Sequence, residues 1–64
     1  MYVVEYSKNQ DCFHITTLDD SIKKNRKMFE ENTPNDFQII ALVNSYEDAK
    51  ATATFLRKKY KEII

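Results

Sequence analysis

At 64 residues, with 42% hydrophobic and 31% charged side chains, the chain has room for one hydrophobic core and lies outside the polar composition of disordered proteins. Ten Lys and Arg balance ten Asp and Glu, so no global field draws it to nucleic acid or to an anionic membrane, and any electrostatic recognition is local. The single cysteine, Cys12, excludes an intramolecular disulfide and cannot by itself build a zinc site, which fits a reducing compartment.

Tyr2, Val4 and Tyr6 alternate with Val3, Glu5 and Ser7, a period of two rich in β-branched and aromatic residues that predicts a first strand. Lys8 to Asp11 interrupt it. From Cys12 to Thr16 the alternation resumes, with Phe13 and Ile15 on one face and Cys12, His14 and Thr16 on the other, so the two runs form a hairpin. The chain has no glycine, which leaves Asn9 or Asp11 to take a left-handed backbone in the turn.

Thr17 or Asp19 then caps a helix expected over about Asp19 to Glu31. Leu18, Ile22 and Phe29 give it one apolar stripe, broadened by Met28, and Lys23, Lys24, Arg26 and Lys27 occupy the other face. Asn32, Thr33, Pro34 and Asn35 stop it, because the residue before a proline is pushed out of helical geometry. Phe37 to Val43 reads FQIIALV, a nearly continuous apolar run expected of a central strand covered on both faces. Ser45, three residues before Asp48, starts the last helix in the manner of a capping box. Ala49, Thr52, Ala53, Leu56, Tyr60 and Ile63 mark its inward face, with Leu56 central and the small alanines allowing close approach to the sheet. Glu47 and Asp48 in the first turn and Arg57, Lys58, Lys59 and Lys61 near the end complement the helix dipole. The expectation is one α+β domain over 1–64: a small, three-stranded, mainly antiparallel sheet with two helices in the order β-β-α-β-α.

No apolar run approaches the roughly 18 residues of a spanning helix, and the start MYVVEYSKNQ lacks the basic-then-apolar order of a signal peptide, so the expected location is cytoplasmic. The absence of glycine and the frequent Lys, Asn, Ile and Tyr suit an AT-rich genome, of a virus such as a phage or of a mobile element.

With YVV at Tyr2 to Val4, FHIT around His14, DDSIKKNRK as the following helix, and FQIIALVNSYEDAKATATFLRKKYK as late strand, acidic turn and last helix, the chain resembles the GIY-YIG nuclease domain. That resemblance implies a GIY-YIG-like fold. It also implies lost catalysis, because the family's metal-binding glutamate aligns with Ala53, both motif glycines are missing, and its early-helix arginine falls on Lys24 or Asn25 beside Arg26. Without that carboxylate a magnesium site loses an oxygen ligand, unless Glu47 or Asp48 replaces it.

His14 and Cys12 share a strand face, yet the sequence displays neither the orienting group nor the pocket that a nucleophilic site needs, so His14 is read as half-buried or exposed. The basic helix residues Lys23, Lys24, Arg26 and Lys27, together with Tyr2 and Tyr6, are the candidate partner or nucleic-acid surface. Flanking Asp19, Asp20, Glu30 and Glu31 favour a solvated face for that cluster. Of Tyr2, Tyr6, Tyr46 and Phe55, at least two are expected inward. The leading expectation is a non-enzymatic protein, a small viral or mobile-element effector that binds a host protein without cofactor, metal or membrane. The alternative is a nucleic-acid-binding remnant of the nuclease fold, and homodimerisation is open.

Overall fold

A computed structural model describes residues 1–63, with side chains for 1–59. It comprises β1 (Tyr2–Ser7), β2 (Cys12–Thr17), α1 (Leu18–Glu30), β3 (Phe37–Val43) and α2 (Tyr46–Ile63). The three strands form one sheet in the order β2-β1-β3, antiparallel at both junctions, which gives the expected α+β class. In the hairpin Val4 lies opposite Ile15 and Glu5 opposite His14. Asp11, at φ 52°, supplies the left-handed residue of its turn, and Asp11 Oδ1 accepts a 2.7 Å hydrogen bond from Tyr6 Oη. On the other side of β1, Tyr2 pairs with Val43 and Ser7 with Phe37, and a bulge between them leaves Ile40 without an opposite residue.

Phe37 to Val43 is not the central strand expected from its apolar run; it is an edge, and β1 is central. Val3, Val4, Glu5 and Ser7 of β1 are all buried. Glu5 and Ser7 do not mark a solvent face, because Ser21 donates to Glu5 and Ser7 donates to Asp36. A buried polar group with its hydrogen bonds made is tolerated, so both faces of β1 enter the interior. β3 instead leaves Ile39, Ile40 and Leu42 exposed at 46%, 43% and 51%.

α2 packs across all three strands on one face of the sheet, and α1 packs over β2 and β1 on the other. The core lies under α2: Val4, Ala49 and Ala53 are buried, with Tyr2, Phe13, Ile15, Ala41 and Val43 packed around them. The two alanines bring the helix close to the sheet, as expected. Leu56 is half-buried rather than the centre of the buried stripe, because the core is centred on the alanines and Leu56 lies at its margin. The expected inward positions Tyr60 and Ile63 lie outside the described side chains.

Thr17, and not Asp19, caps α1: its Oγ1 accepts the Asp20 N–H at 3.2 Å. Ser45 Oγ accepts the Asp48 N–H at 3.1 Å at the start of α2. The chain leaves α1 through Asn32, at φ 57°, just before Pro34. The expected α1 stripe is corrected, since Ile22 and Phe29 are exposed while Ser21 is buried and Leu18, Lys24, Asn25 and Met28 are half-buried. The helix is rotated so that the Ser21 hydroxyl meets the buried Glu5 carboxylate, which would otherwise leave an oxygen unsatisfied away from water.

Candidate functional site

The α1 face of the sheet holds one polar cluster. Glu5, fully buried in β1, accepts from Ser21 Oγ at 2.7 Å on one carboxylate oxygen and meets His14 Nδ1 at 3.3 Å on the other. The His14 side chain is 53% exposed, as expected, and its ring lies 5.6 Å from that of Phe37, over which Lys24 Nζ sits at 4.8 Å. The carboxylate holds the ring at Nδ1. Serine, histidine and glutamate are thus together, but the carboxylate is in the middle. Ser21 is 1% exposed and gives its hydroxyl to Glu5, so it is not activated by His14 and has no access to a substrate. The cluster ties β1, β2 and α1 together. Cys12 is a half-buried free thiol on the same face. Among the described residues no three His, Cys, Asp or Glu side chains converge on a metal position.

At the far end of the hairpin a second polar group anchors the entry to β3. Ser7 Oγ and Asn9 Nδ2 donate to the two oxygens of Asp36 at 3.1 and 2.6 Å, Asn35 Nδ2 donates to Asn25 Oδ1, and Asn35 Oδ1 accepts the Phe37 N–H. The three asparagine amides and the Asp36 carboxylate fix where β3 starts.

β3 carries the other candidate surface. Its outer side meets no strand among the described residues, and Phe37 to Val43 contains no charged side chain. Leu42 and Ile39, in register with Val3 and Glu5, stand on the α1 face, which α1 leaves open at β3. Ile40 stands on the other face, where with Tyr6, Phe13, Gln38, Leu56 and Lys59 it lines a cavity of about 360 Å³. Proteins normally protect such an edge with lysine, proline or inward charges; here a bulge is the one such device on the strand. The sequence contained the signal, seven residues without a charge, but a central strand reads in the same way.

The structure separates the residues expected to act together. Lys23, Arg26 and Lys27 are exposed on α1 and, like Lys24, make no ion pair among the described residues. Tyr6 lies on the opposite face of the sheet, its ring 4.8 Å from that of Phe13. Tyr2 packs edge-on to Tyr46 at 5.9 Å; it also shares a cleft with Lys23, but Asp19 and Asp20 line that cleft too. Tyr2 and Tyr6 are half-buried while Tyr46 and Phe55 are exposed, so two of the four aromatics point inward as expected. On α2, Lys50 lies over Tyr46 at 5.8 Å, Arg57 over Phe13 at 5.2 Å and Lys59 over Phe55 at 5.8 Å. Ala53 packs in the core with Val4, and Glu47 and Asp48 are exposed in the first turn of α2, across the sheet from Glu5. No helix among the described residues is long and apolar enough to cross a membrane. No protein family, curated protein or solved structure matches the chain.

Proposed function

We propose that this domain is a non-enzymatic interaction protein that binds another protein chain along the β3 edge by strand addition. One observation carries the reading: an outer strand without charge, on which Ile39, Ile40 and Leu42 are each more than two-fifths exposed. In strand addition the main-chain hydrogen bonds supply affinity and alternate side chains supply selectivity, and β3 offers aliphatic side chains to both faces. The element order is the one implied by the GIY-YIG resemblance, and an apolar residue at Ala53 supports a scaffold used for binding rather than cleavage.

Affinity capture from native cell extract, treated with nuclease, tests the proposal with the wild-type chain and an Ile39→Lys/Leu42→Lys variant. The expected result is a protein retained by the wild type at moderate salt and lost by the variant, with the variant still folded. Retention that disappears on nuclease treatment, or a partner held equally by both, would overturn it.

The exposed, unpaired Lys23, Arg26 and Lys27 favour a second reading, a phosphate-binding face on α1. It ranks lower because Tyr6 lies across the sheet, so the basic face lacks the stacking platform expected of that pair.

A further inference from the structure

We propose that the cavity between the second half of α2 and the Ser7 end of the sheet binds a small amphiphile, a single alkyl or aryl body that carries one carboxylate. The inference does not rest on the β3 edge reading. The cavity lies on the α2 face of the sheet, whereas Ile39 and Leu42 stand on the α1 face.

The walls come from every element that meets there. Tyr6 of β1, Phe13 of β2, Ile40 of β3 and Leu56 of α2 surround a space of about 360 Å³, within the ~300 to 1,000 Å³ of small-molecule pockets. Ala49 and Ala53 close the first half of α2 onto Val4, but beyond Ala53 the core stops and Leu56 is only partly buried. A well-packed interior leaves few voids larger than a water molecule, so a recess of this size is more than packing scatter. Water finds few hydrogen-bonding partners on such walls, whereas an apolar guest removes its own surface and theirs from solvent.

The charged residues fix the sign of the guest. Lys8 and Lys59 both line the cavity, Gln38 adds an exposed amide, and no acidic side chain lines it among the described residues. In a chain with ten acids and ten bases, that asymmetry is local. Asp11 and Asp36, at the same end of the sheet, already accept hydrogen bonds, Asp11 from Tyr6 and Asp36 from Ser7 and Asn9. Neither lysine makes an ion pair among the described residues, and Arg57, over Phe13, adds a third cation on the β2 side. Apolar walls beside unpaired ammonium groups match an apolar body with one anionic end, and they repel a cationic one. A peptide segment fits less well. Its backbone brings a donor and an acceptor at nearly every residue, and the lining side chains offer only Gln38 to satisfy both.

Heteronuclear NMR titration of the whole, isotope-labelled chain with monomeric decanoate tests this, with decanol and decylamine as the neutral and cationic controls. Decanoate should give saturable shifts centred on the amides of Tyr6, Phe13, Ile40 and Leu56. Decanol should bind about tenfold more weakly, for want of the charge-assisted contacts, and decylamine more weakly still. Gln38→Glu, nearly isosteric at an exposed position, should weaken decanoate by roughly fivefold, and Lys8→Glu/Lys59→Glu by more than tenfold, with decanol unaffected by either. Circular dichroism checks that both variants remain folded. Ile39→Lys/Leu42→Lys should bind decanoate as the wild type does. Three head groups that bind alike, shifts spread over the exposed apolar residues of α1 and β3, titration without saturation, or indifference to both sets of substitutions would overturn the inference. Displacement of decanoate by anionic phospholipid vesicles would also overturn it, by assigning the cavity to a membrane lipid. None of these results touches the β3 edge reading, whose own variant leaves the cavity intact.

Discussion

Glu5 sits in the middle of the sheet with no exposed surface, and each carboxylate oxygen has a partner. The two partners are not equivalent. Ser21 is sealed under α1, so its removal leaves an oxygen that water cannot reach, whereas the half-exposed His14 can be replaced by solvent. Ser21→Ala should therefore destabilise the fold by about 1 to 3 kcal/mol, the cost of a buried acceptor left unsatisfied. His14→Ala should cost clearly less. Urea unfolding of both variants checks the order, and equal effects would show that water already reaches Glu5. Of this cluster, the shared face of Cys12 and His14 was legible in the strand alternation. The Glu5 to His14 contact was not, because it depends on hairpin register, and the Ser21 contact depends on how α1 is rotated.

At the scale of the elements, capping and periodicity locate both helices, while packing sets which side faces inward. In α2 the buried positions are Ala49 and Ala53, where the helix approaches β1 most closely, and Leu56 lies at the cavity margin. Ala49→Leu should cost about 1 to 3 kcal/mol through overpacking against Val4. Leu56→Ala should cost about 1 to 2 kcal/mol, below the ~2 to 5 of a fully buried leucine, since Leu56 is only partly buried at the edge of the core. Thermal unfolding followed by circular dichroism measures both. A larger loss at Leu56 than at Ala49 would place the centre of the core further along the helix. In α1 the apolar stripe pointed to the wrong face, because the sheet surface beneath it is polar and selects Ser21 over Ile22.

Across the whole molecule, two surfaces compete for the function: the apolar β3 edge and the basic face of α1. Changing Lys23, Lys24 and Lys27 together to Gln separates them. Lys23 and Lys27 are solvated and Lys24 lies over Phe37, so the stability loss should stay at about 1 kcal/mol, mainly from the lost cation–π contact. Fluorescence titration with single-stranded and duplex oligonucleotides should find weak wild-type binding that fades as salt rises, while protein capture persists in the variant. Tight binding at physiological salt, abolished by the three substitutions, would promote the nucleic-acid reading over the edge reading.

Local interactions determined the order of elements, their approximate bounds, the hairpin and both helix starts, because alternation, helical spacing, Thr17, Ser45 and Asp11 act within a few residues of themselves. Sheet order and helix facing were decided only by tertiary structure. Glu5 and Ser21 are 16 residues apart and Ser7 and Asp36 are 29 apart, and those two contacts make β1 the buried strand. A polar side chain on a strand looks the same in sequence whether water or a distant hydroxyl satisfies it, and an uncharged strand looks the same at the centre of a sheet as at its edge. Only the fold, by giving Glu5 and Ser7 their partners, put β3 on the outside.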